Sequence, residues 1–208
     1  MKKFKPVYFT VFISILTLIF SFYVAWDITG SLFSRVRIIQ LESYGGITLD
    51  HLKNLEVWRL FASQIIHVKQ FHMLFNVISI FVLGIFIERH IGFFRMFFLW
   101  FLAGSFGTVF STLFVPAPWN LGTGASQAIL GISAFGIILT YQKIDVSRGL
   151  KYALLFAIVP ALLLDLIFAH YPKPGHISAF IVGWIIGLFY LKEIKNDSKK
   201  ELSATSSS

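Results

Sequence analysis

Residues 7–26 read VYFTVFISILTLIFSFYVAW, a run of twenty residues that carries no charge. A helix of about 20 mostly apolar residues is long enough to cross the roughly 30 Å hydrocarbon core of a bilayer. Scanning the rest of the chain for similar runs gives six predicted spans in total, at approximately 7–26, 70–87, 93–115, 126–142, 150–170 and 176–191. The sequence therefore predicts an all-α membrane protein, folded as one transmembrane domain over residues 1–208.

The composition of the whole chain agrees with this interpretation. Only 13% of the 208 residues are charged, about half the proportion typical of soluble domains, and 56% are hydrophobic. The chain contains no cysteine, which excludes disulfides, thiolate metal sites and a cysteine nucleophile. Any covalent catalysis by this protein must use another nucleophile.

Lys and Arg residues are distributed unevenly between the two sides of the six predicted spans. Twelve of the 18 lie on the side that contains both termini, and five of the other six lie in or beside residues 27–69. Because an excess of Lys and Arg marks the cytoplasmic side, we expect both termini in the cytoplasm, including a disordered tail at 192–208, and the long loop 27–69 outside. The net charge of +8 is explained mainly by this bias, together with the role of basic residues in binding anionic lipids. It does not indicate a nucleic-acid partner.

Polar side chains inside apolar spans are functional candidates because placing them in lipid is costly. The candidates here are His72, Asn76, Ser126, Asp165 and His176. Sixteen or seventeen residues separate each of His72, Ser126 and His176 from the charge at the cytoplasmic end of its span. With a rise of about 1.5 Å per residue, these three side chains are predicted at one depth, a few Å below the outer surface of the hydrocarbon.

These candidates together have the chemistry of a hydrolase. Ser126 is the predicted nucleophile and His176 the base that takes its proton. His72 and Asn76, one helical turn apart, are predicted to donate to a developing oxyanion together with the backbone N–H of Ser126. Gly124 allows a substrate carbonyl to approach the backbone. Glycine-rich, helix-breaking sequence precedes both Ser126 and His176, which predicts a water-filled pocket that opens outward.

Each candidate also has a structural interpretation. Gly124-Ala125-Ser126 can be a small-residue packing motif, His176 an interfacial residue, and His72 with Asn76 an interhelical hydrogen-bonding pair. Asp165 is interpreted as structural, bonded to a neighbouring helix or to a loop amide. His67 and His72 are five residues apart, which is not the spacing of a helical ligand pair, so no metal site is predicted. The shared depth and the complementary chemistry favour catalysis.

From about Trp58 to Gly187 the sequence resembles the rhomboid family of intramembrane serine proteases. Its motifs occur in the family's order, as Trp58-Arg59-Leu60, His72-Met73-Leu74-Phe75-Asn76, Glu88-Arg89-His90-Ile91-Gly92, Gly124-Ala125-Ser126 and Gly175-His176.

The resemblance implies a Ser126–His176 dyad, without a third carboxylate or a cofactor, that cuts peptide bonds in or beside the transmembrane segments of membrane proteins. It implies that His72 and Asn76 flank the oxyanion, and that Trp58 and Arg59 hold the outer loop as structural residues. The partners are then transmembrane substrates and lipids. The expected location is the bacterial inner membrane, with the active site open to its outer face.

Three residues depart from the family's common pattern. Gln127 and Leu130, assigned here to the substrate pocket, replace a common glycine and a common aromatic residue. Ala179 replaces a glycine, which predicts a looser approach of spans four and six.

The alternative function is a rhomboid-like pseudoprotease that handles client membrane proteins, as derlins do. Retention of Ser126 and His176 argues against that alternative. A transporter ranks last, because the inner half of each span is apolar.

Overall fold

A computed structural model of the protein describes residues 5–117 and 120–206. Residues 1–4 and 207–208, at the two ends of the predicted domain, lie outside the described residues. The described chain forms eight α-helices and no β-strand: α1 (Tyr8–Thr29), α2 (Leu49–Lys53), α3 (Arg59–Ala62), α4 (Gln70–Ile91), α5 (Phe93–Thr112), α6 (Ser126–Tyr141), α7 (Arg148–Ala169) and α8 (Pro174–Ser206). Two 3-10 helices, Ile38–Tyr44 and Ser63–Ile65, lie in the loop between α1 and α4.

Five of these helices, α1, α4, α5, α7 and α8, are long and apolar enough to cross a membrane. The sixth apolar helix, α6, has only 16 residues. The prediction of an all-helical membrane bundle is thus supported by the described part of the chain, whereas the crossing of the bilayer by all six helices stays a prediction, as does the orientation of the termini.

The disorder predicted for the tail 192–208 is wrong as far as Ser206, because the backbone of α8 stays helical up to that residue. No glycine or proline follows Gly187 to end the helix, and the segment is rich in Lys and Glu, which are good helix formers.

Arg59 connects several parts of the long loop between α1 and α4. Its guanidinium Nη1 donates to the carbonyl of Gly46 at 2.9 Å and also to that of Glu42. Its Nε donates to the Glu56 carboxylate at 2.7 Å, and the guanidinium lies 4.7 Å from the centroid of the Trp58 ring. Arg59 is only 9% exposed. These contacts are those of a residue that braces the loop.

The same loop is also bonded to the segment that precedes α6. Ile47 and Gly122 form an antiparallel bridge, in which the Ile47 N–H donates to the Gly122 carbonyl at 3.1 Å and the Gly122 N–H donates to the Ile47 carbonyl at 2.7 Å. The loop is therefore attached to the connection between α5 and α6.

The helices α6 and α8 pack with their backbones in contact. A Cβ atom added to Gly183 of α8 would lie 2.2 Å from the carbonyl oxygen of Gly131 on α6. The looser approach expected from Ala179 is therefore wrong. The methyl group of Ala179 faces α5, where a Cβ on Gly107 would lie 2.7 Å from it, so the extra carbon does not separate α6 from α8.

The carboxylate of Glu88, near the end of α4, caps the first turn of α1. It accepts hydrogen bonds from the N–H groups of Phe9 and Thr10 and from the Thr10 hydroxyl, at 2.6–2.8 Å, and Glu88 is fully buried. Val7, which precedes α1, offers no side-chain cap. The negative charge at a helix N-terminus is favourable, and the contact fixes α1 against α4.

Replacing Glu88 with alanine is expected to lower the stability of the protein by at least about 3 kcal/mol, because three buried donors lose their acceptor at roughly 1–3 kcal/mol each. Thermal unfolding in detergent micelles measures the effect. The control is Glu193→Ala, which removes a half-exposed ion pair with Arg95 at 2.9 Å and is expected to cost less than about 1 kcal/mol. Equal unfolding temperatures for the two variants would contradict this role of Glu88.

Candidate active site

The side chains of Ser126 and His176 meet where α6 and α8 begin. Ser126 is the first residue of α6, and His176 is in the first turn of α8. The Ser126 Oγ lies 2.9 Å from the His176 Nε2. Because α6 and α8 are in backbone contact at Gly131 and Gly183, their first turns are held side by side. The separation lies within hydrogen-bond reach, as a nucleophile and its base require.

The turn before Ser126 depends on glycine. Gly124 has a φ of +92°, a backbone conformation that residues other than glycine rarely adopt. Its N–H donates to the carbonyl of Ser63 at 2.7 Å. The next residue, Ala125, has a φ of −90° and a ψ of 0°, so the helix begins only at Ser126. The turn therefore sets the position of Ser126 from outside α6.

Asn76 lies between two histidines. Its amide Nδ2 lies 3.4 Å from the Nε2 of His72, one helical turn earlier on α4, and 3.0 Å from the Nε2 of His67 in the preceding loop. The predicted pairing of His72 with Asn76 is thus present. His67, which the sequence brought to attention only in connection with a metal site, is a second histidine in contact with Asn76.

His67 joins α1 to the turn before the serine. Its Nδ1 lies 3.0 Å from the Ser21 hydroxyl, which donates to the carbonyl of Ile65, and its Nε2 accepts from the N–H of Ala125 at 3.4 Å. Burial, with a smaller contribution from the charge of His72, lowers the pKa of His67 to about 3. The ring is therefore neutral, donating from Nδ1 and accepting at Nε2.

A cavity of about 580 Å³ lies in front of these residues. Its polar wall carries Lys69, His72, Asn76, Ser126, Asp165, Lys173 and His176. The rest of the lining is mostly apolar and comes largely from α4 and α7, including Phe75, Pro160 and Leu164. The cavity thus combines an apolar surface with polar groups that converge on Ser126, as enclosed binding sites generally do.

The two residues assigned to the substrate pocket lie differently. Gln127 is buried, and its Oε1 lies 3.2 Å from the Ser126 Oγ, so the side chain lies beside the predicted nucleophile. Leu130 is also buried. Neither residue lines the cavity. The structure therefore does not bring Leu130 to the cavity surface, and it places Gln127 at the serine itself.

Asp165 of α7 contacts the imidazole of His176. Its Oδ2 lies 2.5 Å from the His176 Nδ1 and accepts from the N–H of Lys173 at 3.0 Å. The predicted bond to a loop amide is thus confirmed. The resemblance implied a dyad without a third carboxylate, whereas the structure places the Asp165 carboxylate against the His176 ring. The sequence contained a signal for the depth of Asp165. Seventeen residues separate it from Arg148 at the other end of α7, which is the spacing that predicts a position in the layer of Ser126 and His176.

The described residues contain no cluster of three or more His, Cys, Asp or Glu side chains that could hold a metal ion.

The chain matches the Rhomboid domain over residues 54–193 and belongs to the rhomboid family. The apolar helices and the family together indicate an integral, multi-pass membrane protein. The family resemblance stated from the motifs is thereby confirmed.

Several individual relatives are similar to the chain. RHOMBOID-like protein 1 of Arabidopsis thaliana is 30% identical over 159 residues, which cover 74% of this chain and 40% of the relative. Rhomboid protease GlpG of Haemophilus influenzae is 31% identical over 142 residues, covering 68% of this chain and 73% of the relative. Inactive RHOMBOID-like protein 8 of A. thaliana is 34% identical over 87 residues, covering 41% and 25%. The chain thus spans less than half of the length of these plant relatives.

Proposed function

We propose that this protein is an intramembrane serine endopeptidase in which Ser126 is the nucleophile and His176 the general base. The observation that carries the proposal is the 2.9 Å contact between the Ser126 Oγ and the His176 Nε2 at the wall of a cavity. The family includes relatives named as proteases, such as the one from H. influenzae, which supports the same reaction. The test is cleavage of a fluorogenic transmembrane peptide by the purified protein in lipid vesicles, compared with Ser126→Ala.

The reaction has two halves. The Ser126 Oγ attacks the carbonyl carbon of the scissile peptide bond while its proton moves to the His176 Nε2. When the C–N bond of the peptide breaks, His176 gives that proton to the departing amine. The rest of the substrate stays bound to Ser126 as an acyl ester. Water then attacks the ester carbonyl while His176 takes one of its protons. When the bond between the carbonyl carbon and the Ser126 Oγ breaks, His176 returns that proton to Oγ, and the carboxylic acid product leaves.

The negative charge of each tetrahedral intermediate requires donors near Ser126. The backbone N–H of Ser126 is at the N-terminus of α6, where the helix dipole favours negative charge. The side chains of Asn76 and His72 line the same cavity. Asn76 is held by its contact with the neutral His67, so its amide is oriented before substrate binds. Such preorganised donors stabilise an oxyanion without reorganisation during the reaction.

Substrates are proposed to be transmembrane proteins, cut in or beside their membrane segments. The mostly apolar wall contributed by α4 and α7 suits an apolar peptide, while Ser126 and His176 supply the reactive groups. The excess of Lys and Arg on the side of both termini supports cytoplasmic termini and a site open to the outer face of a bacterial inner membrane.

A binding function without proteolysis is the second candidate, since a relative named as inactive shares 34% identity over 87 residues. A protein that only binds client membrane proteins needs neither the serine hydroxyl nor the imidazole. Binding of the peptide by wild type without any cleavage would favour this candidate.

The side chain of Gln127 beside the nucleophile predicts a preference for small residues at the cleaved position. Replacing Ala by Phe there, in an otherwise identical peptide, is expected to lower kcat/KM by roughly tenfold or more, because the buried Gln127 occupies space next to Ser126. Cleavage rates of the two peptides measure the preference. In Gln127→Gly the difference between the peptides should narrow. Equal cleavage of both peptides by wild type would contradict the prediction.

A further inference from the structure

The Asp165 carboxylate is buried inside the bundle, with only 1% of its side chain exposed. Taking a carboxylate out of water costs several kcal/mol unless partners compensate. Its Oδ2 meets the His176 Nδ1 at 2.5 Å and the Lys173 N–H at 3.0 Å, and the Lys173 Nζ forms an ion-pair contact with Oδ1 at 3.2 Å. The two oxygens therefore divide their contacts between the histidine and the segment that connects α7 to α8.

The contact with His176 determines which ring nitrogen carries the proton. A neutral imidazole has one N–H, and an ionised carboxylate can only accept a hydrogen bond. The proton of His176 must therefore lie on Nδ1, facing Asp165. This leaves the lone pair of Nε2 directed at the Ser126 Oγ, 2.9 Å away, which is the arrangement a base needs.

We propose that Asp165 is a positioning residue for His176, so that the site operates as a Ser126–His176–Asp165 triad. This inference rests on the proposed peptidase function. Asp165 holds the imidazole in one tautomer and one orientation, and it stabilises the imidazolium that forms when the Ser126 proton reaches Nε2. The carboxylate itself stays ionised throughout, and no proton passes to it.

The other charged side chains of the cavity wall are positive. Lys69, just before α4, and Lys173, in the segment that connects α7 to α8, both line the cavity. Among the cavity-lining residues, Asp165 of α7 is the one that carries a negative charge. An acceptor for the Lys173 N–H alone needs no charge. The charge of the carboxylate is matched by the Lys173 ammonium at Oδ1 and, once His176 is protonated, by the imidazolium at Oδ2.

The substitution Asp165→Asn removes the charge and keeps the shape of the side chain. The same oxygen, Oδ2, contacts both the His176 Nδ1 and the Lys173 N–H, so an asparagine oxygen in its place can still accept both hydrogen bonds, but it carries no negative charge to stabilise the imidazolium. We expect kcat of the purified variant in lipid vesicles to fall by about 100-fold or more, with KM and the unfolding temperature close to those of wild type. Asp165→Glu should recover part of the lost kcat. A kcat for Asp165→Asn within about threefold of wild type would overturn the proposal.

Asp145→Asn is the matched control, because Asp145 is another carboxylate that contacts a histidine but does not line the cavity. Its Oδ2 lies 3.1 Å from the His90 Nε2, and its Oδ1 accepts from the Ser147 N–H at 3.0 Å. We expect the kcat of this variant to stay within about threefold of wild type, and an equal loss in Asp145→Asn and Asp165→Asn would overturn the proposal.

A measurement without turnover distinguishes this inference from the peptidase function. In protein labelled with ¹⁵N-histidine, the His176 resonances, assigned by their loss in His176→Gln, report which nitrogen carries the proton. We expect the proton on Nδ1 in wild type and on Nε2 in Asp165→Ala, which offers Nδ1 no acceptor. A proton on Nε2 in wild type overturns the role of Asp165 even if the protein is active. A proton on Nδ1 in a wild type that cleaves nothing supports the positioning contact and rejects the peptidase function alone.

Discussion

Ser126→Ala is expected to abolish cleavage of a transmembrane substrate, with a loss on the order of 10⁴-fold or more in kcat. The variant lacks the atom that forms the acyl ester, and no cysteine is available as a substitute. Because alanine is a good helix former, the start of α6 should be preserved. His176→Ala should cause a comparable loss, and the double variant should be no worse than either single one, since the two residues act as a unit.

Ser133→Ala is the matched control for this experiment. Ser133 is a buried serine on the same helix, and its hydroxyl donates to the carbonyl of Ile129 within α6 at 2.8 Å. Its removal changes the same chemical group away from the cavity and should leave kcat close to that of wild type. Unchanged proteolysis by purified Ser126→Ala would reject the peptidase function. A loss of cleavage in Ser133→Ala as large as in Ser126→Ala would show that the assay reports folding instead.

Gly183→Val is expected to cause the largest loss of stability, at least about 3 kcal/mol, because a single Cβ already meets the Gly131 carbonyl oxygen at 2.2 Å. The helices α6 and α8 must move apart, and the unfolding temperature should fall by roughly 8 °C or more. Since these two helices carry Ser126 and His176, cleavage should fall as well. Gly183→Ala should give an intermediate effect on both measurements.

Ile181→Ala is the control for this substitution. Ile181 is on α8 but is half exposed on the outside of the bundle, so its truncation leaves the contact with α6 intact. Thermal unfolding in micelles and the cleavage rate should both stay close to wild type. If Gly183→Val unfolds at the temperature of wild type, the backbone contact between α6 and α8 does not determine the stability of this bundle.

The apolar helices and the pair of reactive residues could be predicted because both leave local signals. Long apolar runs with few charges define the spans, and the equal depth of Ser126 and His176 follows from counting residues along helices of fixed rise. A similar count toward Asp165 would have placed it in the same layer. Depth alone, however, does not say which way a side chain on α7 points, and that direction decides whether the carboxylate reaches His176.

Other features depend on contacts between distant segments. His67 lies in a loop, where no periodic pattern indicates its direction, and its three partners come from α1, α4 and the turn before α6. The orientation of the Ala179 methyl group toward α5 likewise follows from how three helices pack, which spacing along one helix does not fix.

The hydrogen bonds of the turn before Ser126 link the proposed peptidase activity to the local stability of a distant part of the chain. Within the described residues, Gly122, Gly124 and Ala125 are bonded to Ile47, Ser63 and His67, which all belong to the loop between α1 and α4. Opening of that loop would release the turn even while the transmembrane helices stayed folded. The fraction of molecules competent for cleavage is thus limited by the free energy of this local opening, which hydrogen exchange at the amides of Gly122 and Gly124 would measure directly.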